Sequence, residues 1–348
     1  MAILRALLVV TASLMVVAAS AAPVPNASFE EGTDRPTAWS PSDSTAAWEE
    51  GGRTGRRCLV INGDGKESHF WKCDNWLPEP GGIYRLTFWA RSEGATGGCV
   101  VSGLNIANQD FPLPGKEWVR YTRVFMAPRS VQGAYLRLGT WSTTGKVLFD
   151  DVTVTPVLPL VGQLGEGERV SQGRYIFQAP LQGEGSNYSR PLVGFTAGFN
   201  TNRWVLSDGA LITYRHALPG AKQRAATIHA NVGYHVAGRL LVDASRDGKT
   251  WREVGALGEK GALKAELPAD LFPADEIQIR LRGEGEKRSG VDSHPGSFQI
   301  HDYTYEAELE AAPRDLAGQT SYLEIEQERK PSVVTVESLG GLRPGVDP

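Results

Sequence analysis

The chain has 348 residues, with 36 Lys and Arg against 40 Asp and Glu and a formal net charge of −4. A mildly acidic chain without basic blocks argues against a partner that is nucleic acid or an anionic membrane. With 40 glycines, 21 prolines and nine tryptophans, the composition suits a turn-rich all-β chain.

Residues 1–22 read as a secretion signal. Arg5 is the one early charge, Leu7–Val17 is an apolar run, and Ala19-Ser20-Ala21 is a small-residue cleavage pattern. The apolar run is too short to span a bilayer, and no later run approaches a membrane-spanning length. The expected location is therefore extracellular or periplasmic, without a membrane span.

Residues 23–157 read as a first module. Its strand-like runs are Cys58–Asn62, His69–Leu77, Tyr84–Arg91, Cys99–Ile106, Trp118–Ala127, Ala134–Trp141 and Val147–Thr155, separated by turn clusters such as Pro80-Gly81-Gly82. Short strands at this spacing predict a β-sandwich or jelly roll. Alternation places Tyr84, Leu86 and Phe88 on one face, with Leu136 and Leu138 likewise facing a core. Trp89, Arg137 and Trp141 are left on the opposite face. Cys58, Cys73 and Cys99 fit no zinc spacing. In an oxidising compartment Cys58 and Cys73 either pair or stay free.

The closing run VLFDDVTVT alternates over Val147–Thr155 and carries Asp150 and Asp151. Adjacent strand residues point to opposite faces, so these acids are expected to lie in different environments, with one of them a candidate cation ligand facing Asn26–Glu31 at the chain's start.

Residues 158–164 read as a linker or interdomain strand, and 165–312 as a second β-sandwich. Its predicted strands are Leu211–Ala217, Ala225–Val232, Arg239–Ser245, Ile277–Arg282 and Phe298–Glu306, with a long loop over Gly283–Ser297. Three signals repeat in order between the modules. A Pro-Gly turn recurs at Pro80 and Pro219, an aliphatic-Arg-Leu strand at Arg137 and Arg280, and an acid in the closing strand at Asp151 and Asp302. They point to duplication of one architecture. Residues 313–348 hold two further runs, Tyr322–Gln327 and Ser332–Glu337. They are read as a tail or the start of a third β domain.

No catalytic constellation stands out. His229 and His235 lack a third ligand, no Gly-x-Ser-x-Gly elbow occurs, and the glycine-rich stretches carry acids where a phosphate cradle needs none. Asn26-Ala27-Ser28 and Asn187-Tyr188-Ser189 match glycosylation acceptors.

Three segments of the first module, taken together, resemble the CenC-type carbohydrate-binding modules. They are Pro25-Asn26-Ala27-Ser28-Phe29-Glu30-Glu31 followed by Trp39, the stretch Pro80–Arg91, and Phe149-Asp150-Asp151-Val152. Trp118, Tyr121 and Phe125 match that family's late aromatic strand. The resemblance implies a galactose-binding-like jelly roll and a structural calcium, carried here by Glu30 and Asp151 with Glu49 or Glu50 and backbone carbonyls. It also implies glycan or polysaccharide binding on exposed aromatics, because pyranose C–H faces pack on π surfaces. The candidates are Trp71, Trp76, Trp89, Arg137 and Trp141, with Phe111 flanking; Trp48 and Trp118 are assigned to the core. In the second module, Leu241–Trp251 resembles the strand–turn–strand of discoidin-like β-sandwiches. Three readings follow: a secreted non-catalytic glycan-binding protein, a structural or docking protein of the same fold, or an accessory part of a glycoside hydrolase.

Overall fold

A computed structural model describes residues 22–73, 75–183, 185–285, 298–311 and 313–324. The signal segment 1–21, most of the predicted loop 283–297 and the run Ser332–Glu337 lie outside the described residues. The rest is an all-β tandem of two sandwiches. No helix of the described residues is long and apolar enough to cross a membrane.

The first module is built from β1 (Trp39–Pro41), β2 (Ala46–Glu50), β3 (Arg57–Asp64), β4 (Ser68–Cys73), β5 (Ile83–Thr96), β6 (Cys99–Leu104), β7 (Ala107–Phe111), β8 (Val119–Met126), β9 (Leu136–Trp141) and β10 (Thr144–Val161). Strands order as β1-β4-β9-β6-β7 in one layer and β2-β3-β10-β5-β8 in the other. Successive strands largely switch layers, as in a jelly roll. The expected inward residues Tyr84, Leu86, Phe88, Leu136 and Leu138 meet between the layers, together with Phe149 and Phe125. Each fully buried aromatic of this core contributes about 2–3 kcal/mol of transfer free energy.

The second module has β11 (Glu168–Ser171), β12 (Arg174–Gln178), β13 (Leu192–Phe195), β14 (Gly198–Asn200), β15 (Arg203–Leu206), β16 (Leu211–Ala217), β17 (Gln223–His235), β18 (Arg239–Ser245), β19 (Arg252–Leu257), β20 (Gly261–Glu266), β21 (Glu276–Glu284) and β22 (Phe298–Leu309). One layer runs β13-β16-β21-β18-β19; in the other, β22 lies between β12 and β17, and β17 pairs β20. The layer β4-β9-β6-β7 of the first module thus has the same chain order as β16-β21-β18-β19 of the second. The closing strands β10 and β22 correspond too. The repeated sequence signals mark a repeated topology.

The modules are not beads on a string. Of the two readings of 158–164, linker or interdomain strand, the strand holds for Leu158–Val161, which continue β10, and β24 (Thr320–Glu324) pairs with that extension after the short β23 (Leu316–Ala317). The tail run near Tyr322 therefore packs on the first module as far as it is described. A hairpin of β14 and β15 joins the two sandwiches. β14 runs parallel to β7 and β15 pairs β22, so one sheet crosses both modules. At the junction, Asn187 Oδ1 accepts the Met126 N–H at 2.8 Å while its Nδ2 donates to Met126 O at 2.9 Å. That buried amide is committed to the fold, as is Asn26, which is bonded to Glu31 and Thr37. Neither candidate glycosylation acceptor has a free side chain.

Among the described residues no disulfide joins Cys58, Cys73 or Cys99. Cys73 lies in the main core, whereas Cys58 lies with Val60 and Leu148 in a small cluster on the outside of the other layer. A whole sheet separates them, so of the two alternatives the pairing is lost.

Candidate functional site

The closing strand behaves differently from simple alternation. A bulge falls between Asp150 and Thr153, and Asp151 takes a left-handed φ of 49°. Both acids consequently reach the same loop after β2. Asp150 Oδ2 accepts the N–H groups of Arg53 at 2.6 Å and Thr54 at 3.2 Å. Asp151 accepts the Thr54 hydroxyl at 2.6 Å and pairs with Arg53 at 2.7 Å. The expectation of separate environments fails because the bulge resets the two-residue period. Burial, then the charge of Asp151, pushes the Asp150 carboxyl up to about 6 against three backbone N–H bonds.

The expected calcium ligands do not fit a cation. Glu30 accepts the N–H groups of Arg56 and Arg57, Glu49 pairs with Lys146, and Glu50 pairs with Arg56. Calcium requires six to eight converging oxygens, yet this loop presents amide hydrogens and guanidinium groups to the carboxylates. Among the described residues no group of three or more His, Cys, Asp or Glu side chains is placed to hold a metal. His229 and His235 follow suit: His235 Nε2 bonds Gly238 O at 2.9 Å. His229 lies in a shallow charged depression with Arg174, Lys264, Glu306 and Glu308, which has no aromatic platform.

Of the aromatic candidates, Trp71, Trp76 and Phe111 are core residues. In Ser68–Cys73 two neighbouring aromatics compete, and it is Trp71 that turns inward, its indole donating to Val60 O at 3.1 Å. The Trp76 indole donates to Ala22 O at 2.7 Å, and Phe111 packs edge-on against Phe88. Trp89 points outward as expected, but from the other layer, and the Arg53 guanidinium covers it at 3.8 Å. Trp48 and Trp118, expected in the core, are half-buried under Arg57 and Arg91.

Arg137 and Trp141 remain, and they share the outer face of β4-β9-β6-β7. Trp141 is 53 % exposed. Opposite it stand Ser68 on β4 and Cys99 on β6. Phe70, the neighbour of buried Trp71, lies on this face above Gly139, where a side chain would come within 2.5 Å of it. The Phe70 ring stacks on Tyr135 at 5.8 Å, the Arg137 guanidinium lies 5.6 Å from Phe70, and the Lys72 ammonium lies 5.7 Å from Tyr135. At the far edge Arg137 Nη2 donates to Asn108 Oδ1 at 2.7 Å, and Asn108 Nδ2 donates to Asp110 at 2.7 Å and to Asn200 of the second module at 3.1 Å. An aromatic strip thus borders a row of hydrogen-bonding groups braced by the β14 hairpin. Of this row, Arg137 and Trp141 are among the candidates read from the sequence; alternation also puts Tyr135 on their face, whereas Phe70, Asn108 and Asp110 are not among them. The glycine opposite Phe70 was the available signal.

Arg137 is unusual in this row. Its Nε is buried with no hydrogen-bond partner, and burial lowers its pKa against the opposing pull of Tyr135, Asp110 and Cys99. The equivalent Arg280 of the second module is fully engaged. Its Nε donates to Asp243 Oδ2 at 2.9 Å, Arg282 Nε donates to the same oxygen at 2.7 Å, and Trp251 stacks 4.4 Å from the Arg280 guanidinium. Asp243 stands opposite Arg280 on β18, and at the matching place on β6, opposite Arg137, stands Gly103.

No family model matches the chain, and no curated protein matches it. Among solved structures it is similar to the N-terminal CBM22-1-CBM22-2 tandem domain of Xyn10C from Paenibacillus barcinonensis, at 11% identity and a TM-score of 0.33, covering 84% of this chain and 99% of that one. It is also similar to a structure described as CBM4, at 19% identity, TM-score 0.30, and 38% and 99% coverage. A third is TmCBM61 in complex with β-1,4-galactotriose, at 16% identity, TM-score 0.27, and 38% and 96% coverage. With scores of this size, none of these likenesses bears on what the chain binds.

Proposed function

We propose that the chain is a secreted glycan-binding protein whose binding surface is the outer face of β4-β9-β6-β7 in the first module. The observation that carries the reading is the exposed Trp141 beside the Phe70–Tyr135 stack, bordered by Arg137, Asn108 and Asp110. A flat aromatic surface matches the C–H face of a pyranose ring, and the adjacent carboxylate and guanidinium groups suit its hydroxyls. The sequence of residues 1–22 supports export. The motif likeness to CenC-type modules supports a polysaccharide as the ligand.

Trp141→Ala tests the reading, because an exposed side chain is removed without opening the core. Affinity electrophoresis against a panel of plant and bacterial polysaccharides is expected to show retention that falls at least about tenfold in the variant, the effect of losing one stacking anchor. Retention that is absent from the start, or unchanged in Trp141→Ala, would sink it. A second reading, a rigid docking or spacing unit, is favoured by the sheet that crosses both modules. It gains if no polysaccharide is retained.

A further inference from the structure

Resting on the glycan-binding reading, we infer that the first-module face selects uronate-bearing polysaccharides, with Arg137 receiving the sugar carboxylate. In the second module the arginine of this strand is answered by a carboxylate of the protein itself, Asp243, opposite it in register. In the first module that register position is Gly103. Gly103 is held at φ +96°, and a Cβ there would come within 2.8 Å of Ala107 O. The backbone of β6 therefore cannot supply an acid at this point.

Arg137 is left with one bond from its guanidinium to a neutral amide oxygen, and among the described residues no ion pair joins it to an acid. A guanidinium presents five donors in a planar fork that fits a carboxylate. One side of this group lies against Phe70, so a sugar ring on the aromatic strip would bring an equatorial carboxylate toward the same fork. Partial desolvation strengthens such a charge-assisted contact. The whole chain carries a formal net charge of −4, so general electrostatics would disfavour a polyanion. A preference for acidic polymers has to come from a local cation.

The test uses the full chain and polymer pairs that differ at the carboxylate: glucuronoxylan and the same polymer with its carboxyls reduced to alcohols, and polygalacturonate and its methyl ester. The charged member of at least one pair is expected to bind about tenfold or more tightly at low salt, the usual strength of one charge-assisted pair. That margin should shrink in high salt. It should disappear in Arg137→Met and survive in part in Arg137→Lys, with melting temperature confirming that both variants fold. Equal binding within every pair, or a preference that persists in Arg137→Met, overturns the inference and leaves glycan binding standing. Failure to retain any polymer, charged or neutral, overturns both.

Discussion

The outer faces around Arg137 and Arg280 are built on the same strand of the same topology, yet one is closed by the protein and the other is not. In the second module Asp243 is buried between two arginines and Trp251 lies across the group. Burial alone would raise the Asp243 carboxyl, but the hydrogen bonds and charges of Arg282 and Arg280 outweigh it and hold the group below the usual carboxylate range. In the first module the matching arginine keeps an unpartnered Nε on a face that also carries an exposed tryptophan. One copy's polar face is thus committed to internal ion pairs, while the other's is left open.

The largest effect expected from breaking the closed face is structural. Asp243→Ala removes the shared acceptor of two partly exposed arginines and should lower unfolding free energy by about 2–4 kcal/mol, less than for a fully buried pair. Arg137→Met, at the equivalent place, should change it by less than about 1 kcal/mol. Urea unfolding of both variants checks the contrast, and equal losses would mean that Arg137 is as structurally committed as Arg280.

A somewhat smaller effect distinguishes the acids by sign. The folded pKa of Asp150 is raised, to about 6 from the ordinary aspartate value of 3.8. Its stabilising contribution is therefore fully present below pH 4 and is lost as pH rises through about 6. Stability of the wild type relative to Asp150→Asn should fall by roughly 2–3 kcal/mol between pH 4 and 7. The depressed pKa of Asp243 acts oppositely, giving stability present at neutral pH and lost in acid. A wild-type advantage over Asp150→Asn that grows with pH would show that the loop amides dominate burial.

Metal removal should do nothing. Because Glu30, Glu49, Glu50 and Asp151 already face amide or cationic donors, calorimetric melting with a chelator is expected to match melting with calcium. A rise of several degrees on adding calcium would restore the metal. The smallest effect uses Cys99, which lies opposite Trp141 on the open face. Burial, with the Asp110 charge, pushes this thiol up to about 11 against Arg137, so alkylation is slow. A retained polysaccharide should slow it further, by about two- to fivefold if an occluding ligand covers the thiol part of the time, with Cys58 and Cys73 silent because both are buried.

Much of the fold was legible because half-buried strands alternate. Leu211–Ala217 and Arg239–Ser245 were read to the residue, and Arg137 and Trp141 emerged from parity alone. Sheet membership was not legible. Trp89 and Trp141 both point outward, but from different layers, a distinction set by long-range pairing that local periodicity does not encode. Between Phe70 and Trp71 alternation offers no preference, so the wrong aromatic was assigned to the surface. The bulge at Asp151 was hidden because no glycine or proline announced it.

The most direct measurement compares polysaccharide retention of the full chain in Trp141→Ala and Trp251→Ala, with melting curves confirming that both variants are folded. Loss of retention in Trp141→Ala with near wild-type retention in Trp251→Ala is the expected result. Loss in Trp251→Ala alone, or in neither, would contradict the assignment of binding to the first-module face.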